Sequence, residues 1–284
     1  MDMTFGLIVC EVMMLVIGSV FSQIFKSVID DVNWTPSAIF AGAEPGVWFD
    51  PSDLSTLFQD SAGTTPVTAV GQTVGRILDK SGRGNHATQA TLAQRPTYQI
   101  DSTGRPYLSF DGVDDGMVTG TITPATNKVQ VFAGLQKLTN LVGVVYETSV
   151  AAFSTAGSIC AFSGFNGAVA GAYWSVCSHG NAPLVIATTG ATFAAPNTAV
   201  VTQIADIAAP TNTLRVNAAQ QAAVTTTQGT GNYLAYPLYI GRRAGASLPF
   251  NGRIYSMIVR FGPNLTTNQI TSAETYVNEK TGAY

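Results

Sequence analysis

Apolar and polar residues follow two regimes along this chain. From Met3 to Phe25, MTFGLIVCEVMMLVIGSVFSQIF, nearly every position is apolar, whereas from Trp34 onward short apolar or alternating runs are broken every few residues by turn formers. The runs VQVFAGLQKL (Val129 to Leu138), TAVVTQIADI (Thr198 to Ile207), TLRVNAAQQ (Thr213 to Gln221), YPLYIGR (Tyr236 to Arg242) and GRIYSMIVRF (Gly252 to Phe261) have the length and composition of strands. The breaks DSTGRP, FDGVDDG, APTN, QGTGN and GPNLT are rich in residues that tolerate turns or positive φ. Many strands with few helices predict a β-sandwich or barrel. One late stretch is different: in TTNQITSAETYVNEKTG, Thr266 or Thr267 caps a short helix, Ile270, Ala273 and Val277 share a face, and Gly282 ends it. No internal repeat of fixed period is present. The expected organisation is an apolar N-terminal helix and linker over 1–31, closing with KSVIDD, and one domain over 32–284.

Three readings of the apolar segment stay open. Its length approaches the roughly 20 residues of a membrane-spanning helix, although Glu11 at its middle would cost about 2–3 kcal/mol there. Small residues at Gly18, Ser19 and Ser22 suit a signal peptide, but Met1-Asp2-Met3 lacks the usual positive charge. Val9, Val12, Val16 and Ser19 fall at helical spacing, as in a seam between copies, which predicts a homo-oligomer.

Composition narrows the partners. Only 11% of residues are charged, against roughly 25% in ordinary soluble domains, and the net charge of -3 supplies no basic field for nucleic acid. Cys10, Cys160 and Cys177 are odd in number and lack C-x-x-C spacing, so neither a disulfide framework nor a zinc site follows. Cys160 and Cys177 are expected either to pair across neighbouring strands or to remain buried thiols.

Catalytic patterns are missing from the sequence. Glycan cleavage uses two carboxylates about 5–10 Å apart, yet none of Glu11, Glu44, Glu147, Glu274 and Glu279 stands two residues from another acid. Neither His86 nor His179 sits in a known motif, and there is no G-x-S-x-G elbow. A non-enzymatic protein is expected. The acids of FDGVDDG, Asp111, Asp114 and Asp115, would offer oxygen ligands to calcium, or else bond to the turn's own backbone; the rest of a calcium loop is lacking. The aromatics of GAYWSVCSHGN and GNYLAYPLY single out Tyr173, Trp174, Asn181 and Tyr233 as candidate ligand contacts, with core packing as the alternative. The stretch LDKSGRGNHATQA (Leu78 to Ala90) lacks the lysine and spacing of a phosphate loop. It reads as a turn in which Asp79 and Ser81 bond to backbone and Gly82 and Gly84 take positive φ.

Residues spread over Ala38 to Tyr284 carry a resemblance. Trp48 and Asp50 near the entry, Asp79, Ser81, Gly82 and Gly84 in the first loop, Phe110, Asp111 and Gly112 after it, and Phe250, Gly252 and Ile254 at the last strand resemble the laminin-G-like, concanavalin A-like jelly-roll domains of bacteriophage and prophage structural proteins. The resemblance implies an all-β sandwich of two antiparallel sheets. It also implies adhesion, glycan recognition or virion decoration: a non-enzymatic capsid-decoration, fibre or tail-associated protein located in the virion. Met1 to Phe25 would then join it to other virion proteins or sister chains, and a cell-surface glycan is the implied ligand. The alternatives are a host-attachment glycan-binding module and a secreted or membrane-tethered glycosidase.

Overall fold

The computed structural model of the protein describes residues 34–284. The apolar segment Met1–Asp31, with its helix, seam and anchoring readings and with Cys10, lies outside the described residues. Pro36–Tyr284 form one compact unit, and no helix among the described residues is long and apolar enough to cross a membrane.

The unit is a jelly-roll sandwich of two antiparallel sheets. Sheet one runs, in spatial order, β15 (Ala219–Val224), β14 (Thr211–Val216), β13 (Asn197–Asp206), β8 (Lys128–Lys137), β17 (Asn251–Phe261), β6 (Pro106–Asp111) and β5 (Thr97–Ile100). β1 (Gly46–Phe49) also pairs with β17, along its second half, while β6 takes the first. Sheet two runs β12 (Val185–Thr188), β11 (Ala170–Ser178), β10 (Ile159–Phe165), β9 (Gly143–Thr148), β16 (Tyr236–Ile240), β7 (Met117–Ile122), β4 (Ala87–Thr88), β3 (Arg76–Ile77) and β2 (Leu57–Phe58). Alternation along each strand sends one set of side chains between the sheets. Val129, Val131, Ala133 and Leu135 of β8 enter the same buried core as Val145, Ala161, Trp174 and Val176 from the facing sheet.

The C-terminal helix, α1 (Thr267–Thr281), forms as its sequence predicts. The Thr266 hydroxyl accepts from the Gln269 amide, the Gln269 side chain accepts from the Thr266 amide, and Gly282 closes the helix in the left-handed region at φ 63°. It packs on the outer face of sheet one, against β8, β13 and β17, burying Ala273, Glu274, Val277 and Thr281. Gly134 of β8 makes this approach possible, because a side chain there would collide with Thr281 Oγ1.

One expected strand is corrected. TLRVNAAQQ folds as a hairpin, β14 and β15, turning at Asn217 and Ala218 with φ 52° and 59°. Two consecutive positive φ values are the signature of a tight hairpin turn, usually advertised by Asn-Gly. Here Ala occupies the glycine position and Asn217 Oδ1 accepts the Val200 amide at 2.9 Å, so the turn is held from outside. The cysteine alternatives resolve as well: Cys160 and Cys177 face each other across β10 and β11, both buried and both free thiols.

Candidate functional site

The loop after β3 is built around one carboxylate. Asp79 Oδ1 accepts the amides of Trp48 (2.9 Å) and Ser81 (2.8 Å), and Oδ2 accepts the Ser81 hydroxyl (2.8 Å) and the Asn85 amide (3.0 Å). Asn85 Nδ2 donates to Gly46 O, and the Lys80 amide to Trp48 O, strapping the loop to β1. Gly82 and Gly84 sit at φ 80° and 74°, as the turn reading requires. His86 Nδ1 accepts from the Asp79 amide at 2.9 Å, which demands an unprotonated nitrogen; burial, with Arg76 adding to it, lowers the imidazole pKa. His86 is a structural acceptor here.

Asp50 ties β1 to the helix. Its carboxylate accepts from Ser52 N (3.0 Å), Ser52 Oγ (2.5 Å) and Tyr276 Oη (2.9 Å), with Lys280 at 3.3 Å and Lys80 at 3.6 Å. Burial alone would raise its pKa, but the Ser52 bonds, Lys280, Tyr276 and Lys80 together hold it below the usual carboxylate range. Lys80 also pairs with Asp53 at 2.7 Å and lies 4.8 Å over the Trp48 ring, which meets Tyr276 edge-on. The residues carrying the sequence resemblance near the entry and first loop, Trp48, Asp50, Asp79 and Ser81, are therefore a clasp that locks β1, the loop and α1 together.

The turn after β6 brings three acids together. Asp111, Asp114 and Asp115 carry carboxylate oxygens all within 4.8 Å of one another, an arrangement able to hold a hard cation. The same loop is also a hydrogen-bonded turn: Asp111 Oδ1 accepts the amides of Val113 (2.7 Å) and Asp114 (3.2 Å), and Asp115 Oδ2 accepts the Asp111 amide (3.0 Å). Burial first, then the charges of Asp111 and Asp114, push Asp115 up to about 6. Arg242 donates to Asp114 O at 2.7 Å and partly offsets that charge.

The four candidate ligand contacts do not form one site. The expectation that Trp174 and Tyr233 offer ring faces to a ligand is corrected, since both are closed into the core. Trp174 is fully buried, its Nε1 donating to Asn197 Oδ1 at 2.8 Å; Tyr233 stacks near Phe261 and shares a hydrogen bond with Ser178 Oγ. Tyr173 is half-buried on the outer side of β11, and its carbonyl accepts from Lys137 Nζ at 2.8 Å. Asn181 is exposed beyond the other end of that strand, paired with Thr230. At roughly 3.3 Å per strand residue, the five steps from Tyr173 to the strand's end at Ser178 alone cover about 16 Å, with Asn181 beyond it.

Sequence reasoning missed Glu147 of β9. Opposed residues on neighbouring strands point to the same face. Glu147 lies opposite Tyr239 of β16 and Cys160 of β10, so all three stand on the outer face of sheet two, with Cys177 next in the row. Its side chain is fully buried beneath the 149–158 and 241–249 loops; Ser149 Oγ donates to Oε1. Burial raises its pKa, against the opposing pull of Ser149, Arg243 and the amides of Phe153 and Ala244.

No protein-family model matches the sequence, and none of the curated protein sequences matches it. Solved structures do share its fold. A mutant of a GH54 α-L-arabinofuranosidase, soaked with 4-nitrophenyl α-L-arabinofuranoside, aligns at a TM-score of 0.58 with 15% identity, over 87% of this chain and 66% of that one. The structure of botulinum neurotoxin type C, whose cell entry depends on interaction with two ganglioside molecules, aligns at 0.53 with 10% identity over 84% of this chain. The binding domain of serotype D aligns at 0.53 with 8% identity over 72%. The chain spans about half the length of these two toxin chains, 51% and 48% respectively. At such identities the likeness establishes a shared two-sheet β-sandwich fold.

Proposed function

We propose that this chain is a non-enzymatic, lectin-like adhesion module of a bacteriophage particle that binds cell-surface glycan. The observation that carries the glycan reading is the two-sheet sandwich itself, which is similar in fold to botulinum neurotoxin type C, a toxin whose cell entry depends on interaction with two ganglioside molecules. The phage setting rests on the sequence resemblance of Trp48, Asp50, Asp79, Ser81, Gly82, Gly84, Phe110, Asp111, Gly112, Phe250, Gly252 and Ile254. Loops displayed by a rigid scaffold are where such binding is built. A printed glycan array probed with the full chain is expected to show selective hits; an array without any overturns the adhesion reading. Mass spectrometry of purified particles tests the setting separately, and a particle lacking the chain removes the virion role.

A glycosidase reading has one observation in its favour, the similarity to the arabinofuranosidase structure. It predicts turnover of 4-nitrophenyl α-L-arabinofuranoside or of a polysaccharide panel. The adhesion reading predicts none.

A further inference from the structure

Among the described residues Glu147 is the buried carboxylate with an oxygen, Oε2, that has no hydrogen-bond partner. Asp50, Asp79, Asp206 and Glu274, equally buried, are held by cations, hydroxyls or backbone amides. Facing Oε2 at 4.0 Å is Arg243 Nε, itself buried and without a hydrogen-bond partner. The separation is that of an ion pair without a direct hydrogen bond, and an oxygen atom about 2.8–2.9 Å from each would bridge them from one side once the covering loop moves. That atom has to accept from Nε–H and donate to a carboxylate, which a hydroxyl group does and a carbonyl does not.

The surroundings suit a hydroxyl that belongs to a sugar. The Arg243 guanidinium lies 4.4 Å over the Phe153 ring, which meets Phe162 edge-on. Tyr239 and Cys160 flank Glu147 on the adjoining strands, and Ser149 is bonded to its other oxygen. The cover is thin: Gly245, Ala246 and Ser247 on one side and Val150, Ala151 and Ser154 on the other are exposed. It is also strained, because Ala244 and Leu248 hold φ of 43° and 49° without being glycine. Such backbone costs on the order of 1–3 kcal/mol per residue and is relieved when the segment moves. A few polar groups converging beside aromatic surface is the usual make-up of a small-ligand site.

We propose that Glu147 and Arg243 grip one hydroxyl of a glycan on the outer face of sheet two, entered when the Arg243–Leu248 loop lifts. This rests on the glycan-binding reading and gives it a location. The test is an NMR titration of the full chain, following Arg243 Nε–H and the amides of residues 243–248, with galactose, glucose, N-acetylglucosamine and sialic acid at millimolar concentration. At least one sugar is expected to shift Arg243 Nε–H. Glu147→Gln and Arg243→Lys are each expected to weaken that binding at least tenfold. If one variant fails to fold, the wild-type titration and the other variant decide. Arg243 Nε–H unmoved by every sugar means a bound water only and overturns the proposal. Shifts confined to other loops, alongside array hits, overturn this site and leave the adhesion reading standing; a response at Arg243 with a blank array does the reverse.

Discussion

The outer face of sheet one is covered by a fifteen-residue helix, and the outer face of sheet two by two loops. Under the helix, every buried charge is matched: Glu274 takes Arg215 Nε and Nη2 at 2.8 and 3.0 Å, and Asp50 gathers Lys280, Lys80 and Tyr276. Under the loops, Glu147 and Arg243 leave an oxygen and a nitrogen unbonded, and the cover includes strained residues. A helix docks by interlocking side chains and satisfies its own backbone, whereas loops must find a partner for each polar group they bury. The two covers thus differ in how their buried charges are matched, although Trp48 Nε1 and Thr202 Oγ1 also lack hydrogen bonds on the first face.

The largest expected break in that contrast is Gly134→Val, which forces a side chain against Thr281 and lifts the helix. It should cost about 3 kcal/mol in urea unfolding, the upper end for overpacking. Glu274→Ala strands the Arg215 guanidinium, and because Arg215 is partly solvated the loss should be about 2 kcal/mol. Between the sheets, Lys137 is a buried amine whose pKa burial lowers to about 8. Its protonated form is penalised in the fold at every pH below its unfolded value. Lys137→Met should therefore stabilise by roughly 1–2 kcal/mol below pH 8, after allowing for the lost bond to Tyr173, with the gain fading toward pH 10.5.

Smaller effects sharpen the picture at the loops. Asp115, raised to about 6, favours the fold when protonated, and that stability is lost as pH rises from the usual carboxylate range through 6. Asp115→Asn should raise the melting midpoint above pH 6 and leave it unchanged below pH 4, by about 1 kcal/mol at most given partial solvation. If a cation occupies the acid cluster, added calcium stabilises the wild type and not this variant. Glu147→Gln should follow the same sign, with a modest gain in alkaline buffer that disappears in acid, readable by thermal melts.

Long alternating strands and the capped helix were legible in the sequence, because β8, β13, β17 and α1 each announce themselves by period and by end signals. The β14–β15 turn was not, since its Ala218 occupies a conformation that alanine seldom takes unaided. Tyr173 and Trp174 illustrate a second limit: adjacent strand residues face opposite ways, so one of the pair had to be core, and the sequence alone did not say which. Glu147 was invisible as a candidate because its significance comes from Tyr239, Cys160 and Arg243, brought beside it only by strand pairing and loop packing.

The split partnership of β17 has a consequence for synthesis. This strand lies inside sheet one and joins β8 to both β6 and β1, yet it is the last of the described strands to be made. Until it leaves the ribosome the nascent sheet has a gap through its middle, with β1 and β6 bereft of their neighbour, and pairings of such long sequence separation form slowly. Completion of the domain is thus deferred until Asn251–Phe261 has emerged, and a ribosome stalled before Asn251 would hold an unclosed sandwich.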